Sequence, residues 1–316
     1  MKITILDRNT LGDDLDISVI TSMGDVTLYD STPPEKVKDN IGDSDVLILN
    51  KVKLNESNLK DAKNLKLICI AATGYDNVDV TYCRNHGIAV ANVCGYSTDS
   101  VAQLTVSLAL SLVMYLEKYH KHVTSGEYTK SGVQNHLKPT FHELSSMCWG
   151  IVGMGNIGKK VSDVAKAFGM KVIYFKKHPV DDENCVTLPE LMKNADIISV
   201  HLPLSQETKG IISKEMLALM KKSAVLVNVA RGAVIDEKAV TDAIKNEEIG
   251  GFATDVYSVE PLQPDSPFME ILNNENTIFT PHMAWGSYES RMRCMAEIRK
   301  NIEAFYNGEI RNRVDL

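Results

Sequence analysis

The sequence predicts an α/β fold built as two domains, each a parallel sheet covered by helices. Three observations carry this expectation. At 316 residues the chain has room for two domains of roughly 150 residues. Short apolar runs alternate with helical patterns along most of its length, the mark of βα units. A glycine-rich segment, residues 153–158, stands between one such run and an amphipathic helical pattern.

The first series of strands is expected at residues 2–6, 26–29, 45–49, 67–70 and 88–90. Helical patterns lie between them, such as the one after Pro33-Pro34, where proline suits a first turn that does not need its N–H. This small domain ends near Gly95. Ser97 and Asp99 are candidate caps for a helix over residues 100–119, and Gly126, Gly132 and Pro139 with weak periodicity predict an irregular arm over 120–144. A second series follows at 148–153, 171–175, 196–200, 224–229, 250–255 and 277–280, and a helical pattern over 288–306 closes the chain.

Composition narrows the function classes. With 44% hydrophobic and 24% charged residues the chain is of ordinary globular type. Its net charge of −7, from 34 Lys+Arg against 41 Asp+Glu, offers no basic excess to neutralise a phosphate backbone, so nucleic acid is not an expected partner. Six cysteines occur singly, at Cys69, Cys83, Cys94, Cys148, Cys185 and Cys294, without metal-ligand spacing; they read as free thiols of a cytoplasmic protein that holds no metal. The first residues lack the long apolar stretch of a signal peptide. The uncharged stretch 100–116 is interrupted by Gln103, Thr105, Ser107 and Ser111, too short and too polar to span a membrane, so a buried or interface helix is expected there.

The sharpest motif is Gly153-Met154-Gly155-Asn156-Ile157-Gly158, which follows an apolar strand and opens a helix with apolar Ile157, Val161, Val164, Ala165 and Phe168. The first glycine permits a tight turn, the second lets a pyrophosphate approach the backbone, and the third lets helix and strand pack closely. The phosphate then sits on the helix N-terminus. An NAD site is expected to place an acid at the end of the next strand for the adenosine ribose, but residues 171–175 run into Lys176-Lys177-His178. Two readings stand: the cations attract a 2′-phosphate and favour NADP, or they are solvated charges and Asp181 or Asp182 supplies the acid.

Three further residues fall at expected carboxyl ends of strands in the second series, where open α/β sheets bind ligands. Arg231 follows Val229-Ala230, Glu260 sits five residues past Asp255, and His282 follows Pro281. Singly, each has a plain alternative, such as a surface ion pair for the Arg, a solvated Glu before Pro or a structural His. Together, on the sheet edge that carries a dinucleotide loop, they read as a catalytic set.

These motifs, with Val229-Ala230-Arg231-Gly232, residues 255–261, Pro281-His282 and Ala72-Thr73-Gly74-Tyr75-Asp76-Asn77-Val78-Asp79, resemble the D-2-hydroxyacid dehydrogenase family over nearly the whole chain. Residues 95–103 and His282-Met283-Ala284-Trp285 are most similar to its glycerate dehydrogenase, or hydroxypyruvate reductase, branch. The resemblance implies two Rossmann-like domains with parallel sheets, one flavodoxin-like and one dinucleotide-binding. Residues 1–98 and 285–316 would bind substrate and 99–284 the cofactor, with linkers near 95–99 and 284–287 acting as hinges. It implies a homodimer contact through the helix at 100–119 and the arm that follows.

By the same resemblance, His282 is the proton donor, Glu260 orients it, and Arg231 binds the substrate carboxylate. Cofactor contacts are expected from Thr73, Gly153, Gly155, Asn156, Ile157, Gly158, Lys176, Leu202, Val229, Ala230, Arg231, Asp255 and His282, with Asp255 near the nicotinamide amide. Substrate contacts are expected from Asn50, Lys51, Thr73, Gly74, Tyr75, Arg231 and Trp285, the last either at the pocket mouth or packed against the first domain. The activity implied is hydride transfer between NAD(P)H and a small 2-oxo acid such as hydroxypyruvate or glyoxylate. Two alternatives share the fold: a formate dehydrogenase-like enzyme, against which Glu260 speaks, and a non-enzymatic dinucleotide-sensing corepressor.

Overall fold

The computed structural model describes residues 1–316. In chain order its strands and α-helices are β1 (Lys2–Ile5), α1 (Ser18–Thr21), β2 (Asp25–Leu28), α2 (Val37–Ile41), β3 (Val46–Leu49), α3 (Glu56–Leu59), β4 (Leu67–Ile70), α4 (Val80–Asn85), β5 (Ala89–Ala91), α5 (Thr98–Val113), α6 (Leu116–Thr124) and α7 (Glu127–Ser131). There follow β6 (Cys148–Val152), α8 (Asn156–Ala167), β7 (Lys171–Phe175), α9 (Leu188–Asn194), β8 (Ile197–Val200), α10 (Lys214–Leu217), β9 (Val225–Asn228), α11 (Glu237–Lys245), β10 (Gly251–Thr254), β11 (Thr277–Phe279) and α12 (Tyr288–Tyr306). The strands form two sheets, ordered β2-β1-β3-β4-β5 and β11-β10-β9-β8-β6-β7, parallel at every pairing. The chain divides into two compact units, residues 1–97 with 285–316, and residues 98–284.

In the first unit β3 and β4 are buried at every residue, because helices cover both faces of a parallel sheet and its central strands become continuous apolar runs. One face packs Ile3, Ile5, Leu67 and Cys69 against Cys294, Met295, Ile298 and Ile302 of α12, whose spacing of three and four residues forms one helical stripe. The other face packs Leu47, Leu49, Ile68 and Ile70 against Val37, Ile41, Leu59 and Cys83. Each fully buried aliphatic side chain contributes about 1.5–3 kcal/mol. The last residues close the sheet: Val314 N–H donates to the Val90 carbonyl, and the Asp315 carboxylate accepts the Val90 N–H at 2.9 Å.

The second unit is also layered. Helix α9 rides so close to β6 that a Cβ on Gly150 would meet Leu191 at 2.6 Å and Ala195 at 2.8 Å. Helix α9 begins in a capping box, where Thr187 accepts from the Glu190 N–H and Glu190 accepts from that of Thr187, which satisfies donors the helix leaves open. Helix α5 buries Val101, Ala102, Thr105, Leu108, Ala109, Leu112 and Val113. No single helix is long and apolar enough to cross a membrane. All six cysteines are free.

The helix expected over 100–119 is two helices. Tyr115 adopts a left-handed φ of 54°, which interrupts the ladder of backbone hydrogen bonds, and α5 and α6 meet there at a 60° bend. The arm expected to be irregular is helical in part, through the end of α6 and through α7. Val123, Val133, Leu137 and Phe141 are exposed along it, as is Leu116 just before it, and the His122 and His136 rings stack at 3.8 Å.

Candidate active site

The glycine loop joins β6 to α8. Gly153 has φ 107° and is locked between neighbouring strands: its N–H donates to the Phe175 carbonyl at 3.0 Å, and an added Cβ would lie 2.9 Å from the His201 carbonyl carbon. A Cβ on Gly158 would meet the Gly153 carbonyl oxygen at 2.3 Å, whereas one on Gly155 would meet nothing within 4 Å. The first and third glycines are thus required by close packing, and the second leaves its backbone open at the start of α8. Asn156 and Ile157 form the first turn of that helix, whose unpaired N–H groups and dipole favour an anion. Strand order reverses at β6, with β7 on one side and β8 on the other; such a switch point is where open α/β sheets take a ligand. The loop therefore fits a dinucleotide pyrophosphate.

Arg231, Glu260 and His282 stand past the carboxyl ends of β9, β10 and β11, three adjacent parallel strands. Buried Asn228 shapes the first turn, donating from Nδ2 to the Arg231 carbonyl and accepting the Ala230 N–H, both at 3.1 Å. The Arg231 Nη1 donates to the Ala230 carbonyl at 2.8 Å. Gly232 then passes so close to the next turn that a Cβ would lie 1.9 Å from the Tyr257 carbonyl carbon. That second turn carries Glu260, whose Oε1 accepts the Tyr257 N–H at 3.1 Å while the Glu237 carboxylate accepts the Ser258 N–H at 2.7 Å.

His282 has a left-handed φ of 53°, and its Nδ1 lies 2.6 Å from Glu260 Oε2. A carboxylate only accepts, so Nδ1 carries a proton in this pairing. Asp255, expected beside a nicotinamide, turns its carboxylate on its own chain. It is 1% exposed and accepts from Thr280 Oγ1 at 2.6 Å, from the Met283 N–H at 2.9 Å and from the Ala284 N–H at 2.8 Å. These bonds clamp both sides of the turn that carries His282.

Lys176 and Lys177 stand past the end of β7, and Lys177 pairs with Glu207 from the loop after β8. That pairing holds the Glu207 carboxyl below its ordinary range. Of the acids considered in their place, Asp182 accepts from the Tyr174 hydroxyl at 2.6 Å and from the Asn184 N–H at 2.9 Å. Val229, Ala230 and Leu202 are buried at strand ends. Next to Leu202, His201 was not singled out from sequence. Its Nε2 lies 2.9 Å from Ser199 Oγ, which also accepts the Trp149 indole N–H at 2.9 Å, and burial pushes its pKa down to about 3. The ring is therefore neutral and is joined to Trp149 through Ser199. Its only sequence signal is its place directly after an apolar strand.

The first unit presents its own strand ends. Asp7, 3% exposed, follows β1 and accepts N–H groups from Asn50, Lys51 and Val52 at 2.6–3.1 Å. Asn50 donates from Nδ2 to Thr10 Oγ1 at 3.2 Å, and Asn77 donates to the Val52 carbonyl at 2.9 Å, tying the turn at 50–52 to the turn at 72–77. Thr73 Oγ1 donates to the Val93 carbonyl at 2.9 Å. Gly74 is half-buried and Tyr75 exposed. Trp285 packs on this unit's core with its ring edge-on to Tyr96, centroids 6.3 Å apart.

Residues 106–284 match the family model described as the NAD-binding domain of D-isomer specific 2-hydroxyacid dehydrogenases. A hydroxypyruvate reductase of Blautia hydrogenotrophica is 34% identical, covering 98% of this chain and 98% of the relative. A glycerate dehydrogenase of Methylorubrum extorquens is likewise 34% identical, over 99% of each chain. Among solved structures, an acyclic imino acid reductase in complex with NADPH and D-Arg superposes with a TM-score of 0.85 at 30% identity, covering 99% of this chain and all of that one.

Proposed function

Since the chain belongs to the D-isomer specific 2-hydroxyacid dehydrogenase family, we propose that it reduces a small 2-oxo acid of the hydroxypyruvate or glyoxylate kind, with His282, Glu260 and Arg231 as its catalytic set. It is an oxidoreductase that uses a nicotinamide dinucleotide. The observation that carries the assignment of roles is the 2.6 Å pairing of His282 Nδ1 with Glu260 Oε2 on the sheet edge that holds the glycine loop.

When bound, the dinucleotide supplies the hydride that adds to C2 of the 2-oxo acid, or takes it back in the reverse direction. Gly153, Gly155, Asn156, Ile157 and Gly158 would hold its pyrophosphate; Lys176, Leu202, Val229, Ala230 and Asp255 would flank the rest. Arg231 presents a planar fork suited to a substrate carboxylate; in the first unit, backbone N–H groups around Thr73 and Gly74 suit a carboxylate oxygen, and Asn50, Lys51 and Tyr75 are the side chains expected to shape specificity. The Glu260 carboxylate favours the doubly protonated imidazolium of His282, whose Nε2 gives its proton to the carbonyl oxygen as that oxygen gains charge, leaving the neutral ring with its proton on Nδ1. One hydride and one proton convert the oxo acid to the hydroxy acid. Glu260 speaks against a formate dehydrogenase reaction, which releases no hydroxyl proton and gives such a pair no task.

His282→Ala should lower turnover of hydroxypyruvate or glyoxylate by about 10²–10⁴-fold while dinucleotide affinity, measured by titration, stays within a few-fold of wild type. Near-normal turnover in that variant would overturn the assignment. For the cofactor, Lys176 past the end of β7 supports NADP. Lys176→Asp should move the ratio of kcat/KM for NADPH over NADH about tenfold or more toward NADH, since an acid there repels a 2′-phosphate; an unchanged ratio removes the charge as the cause. The apolar side chains exposed along residues 116–141 support a homodimer contact through this arm, which sedimentation would test.

A further inference from the structure

Both members of the His282–Glu260 pair stand on turns past strand ends, and one residue reaches both turns. Tyr257 donates its backbone N–H to Glu260 Oε1 at 3.1 Å. Its phenol O–H donates to the Thr280 carbonyl at 2.9 Å. That carbonyl also accepts the His282 N–H at 3.1 Å, so it closes the left-handed turn on which the imidazole is mounted. The ring itself cannot drift: it lies edge-on to Phe268, centroids 6.4 Å apart, and packs on the core of the second unit. On the other side, the Gly232 approach fixes the Tyr257 carbonyl.

We propose that Tyr257 is a positioning residue that holds the Glu260 carboxylate and the His282 turn in register through its N–H and its O–H. This rests on the catalytic reading of the pair and names a residue that acts through it. A left-handed φ at a non-glycine residue is maintained only where its surroundings over-determine it. Here the Asp255 clamp holds the turn from below and beyond, and the phenol holds the carbonyl that closes it. Burial, with Asp255, Glu260 and Glu237 nearby, pushes the Tyr257 hydroxyl up to about 12, so it stays a donor over the working range of an enzyme. No sequence pattern announces the role, because residues 257 and 280 meet only where β10 and β11 lie side by side.

The test is a double-mutant cycle of Tyr257→Phe and Glu260→Gln in the full-length enzyme, with hydroxypyruvate or glyoxylate as substrate. Tyr257→Phe keeps the ring and the N–H and removes only the O–H. Its kcat should fall about 3- to 10-fold, the worth of one hydrogen bond, with dinucleotide affinity and substrate KM within twofold of wild type. The high-pH limb of the reductive kcat should also move to lower pH, because a looser His282 turn weakens the pairing with Glu260 that favours the imidazolium. In the Glu260→Gln background, where the hold on the pair is already lost, Tyr257→Phe should cost no more than about 1.5-fold. A wild-type kcat and pH limb in Tyr257→Phe, or a loss carried in full into the Glu260→Gln background, overturns the positioning role. Wild-type activity in Glu260→Gln or His282→Ala would instead overturn the parent assignment, which keeps the two failures distinguishable.

Discussion

Carboxylates stand just past strand ends in both sheets, and they serve opposite ends. In the first unit Asp7 is buried and surrounded by the N–H groups of Asn50, Lys51 and Val52; it holds a turn and faces no reacting group. In the second unit Glu260 is about a third exposed at its side chain and faces an imidazole nitrogen at 2.6 Å. Asp255, on the same edge as Glu260, behaves like Asp7, sunk among donors of its own chain. Position at a strand end therefore does not distinguish a reacting acid from a supporting one. Burial and the kind of partner do, because a carboxylate saturated by backbone donors has no oxygen left to steady a changing charge.

The largest expected effect comes from breaking this contrast at Asp255. Asp255→Asn places an N–H₂ against donors that the carboxylate accepts from, leaving buried groups unpaired. It should cost about 2–4 kcal/mol of unfolding free energy, measured by urea, and lower activity at least as much as Glu260→Gln does. An Asp255→Asn protein that is as stable as wild type yet inactive would mean that the carboxylate acts directly on cofactor or substrate.

The smallest effect sharpens the contrast through its sign. At Asp7, burial outweighs the three donors and raises the carboxyl above its ordinary range. Its folded form therefore binds a proton more tightly than the unfolded chain does. The stability it contributes is complete below the unfolded value of about 3.9 and is lost as pH rises through the higher folded value. The difference in unfolding free energy between wild type and Asp7→Asn should thus decline as pH rises from about 4. A difference that grows with pH would show that the three N–H donors dominate and that Asp7 is stabilised as an anion.

Much of the fold could be read from the residues, for reasons that differ by element. The parallel strands were legible because burial on both faces demands unbroken apolar runs such as residues 46–49 and 225–228. The glycine loop was legible because steric closeness leaves no choice of residue at 153 and 158. The bend at Tyr115 was not, since nothing in a tyrosine marks a left-handed backbone. At the site, Arg231, Glu260 and His282 stood out by residue type and strand-end position. Asp255 stood out too, but its partners at 280, 283 and 284 are set by strand order, which the sequence does not display. Tyr257 and His201 passed unnoticed because each resembles core filling until its polar atom is traced.

The first unit is assembled from both ends of the chain, with residues 98–284 inserted between them, and this sets an order for biosynthesis. Chains emerge from the ribosome amino end first, and domains generally fold as units. The inserted unit has all its strands once residue 279 is out, whereas the first sheet still lacks Cys294, Met295, Ile298 and Ile302, which cover one of its faces. A nascent chain thus carries a complete dinucleotide fold beside a half-covered sheet whose Ile3, Ile5 and Leu67 await the last helix. Helix α12, made after the inserted unit, seals the sheet made before it.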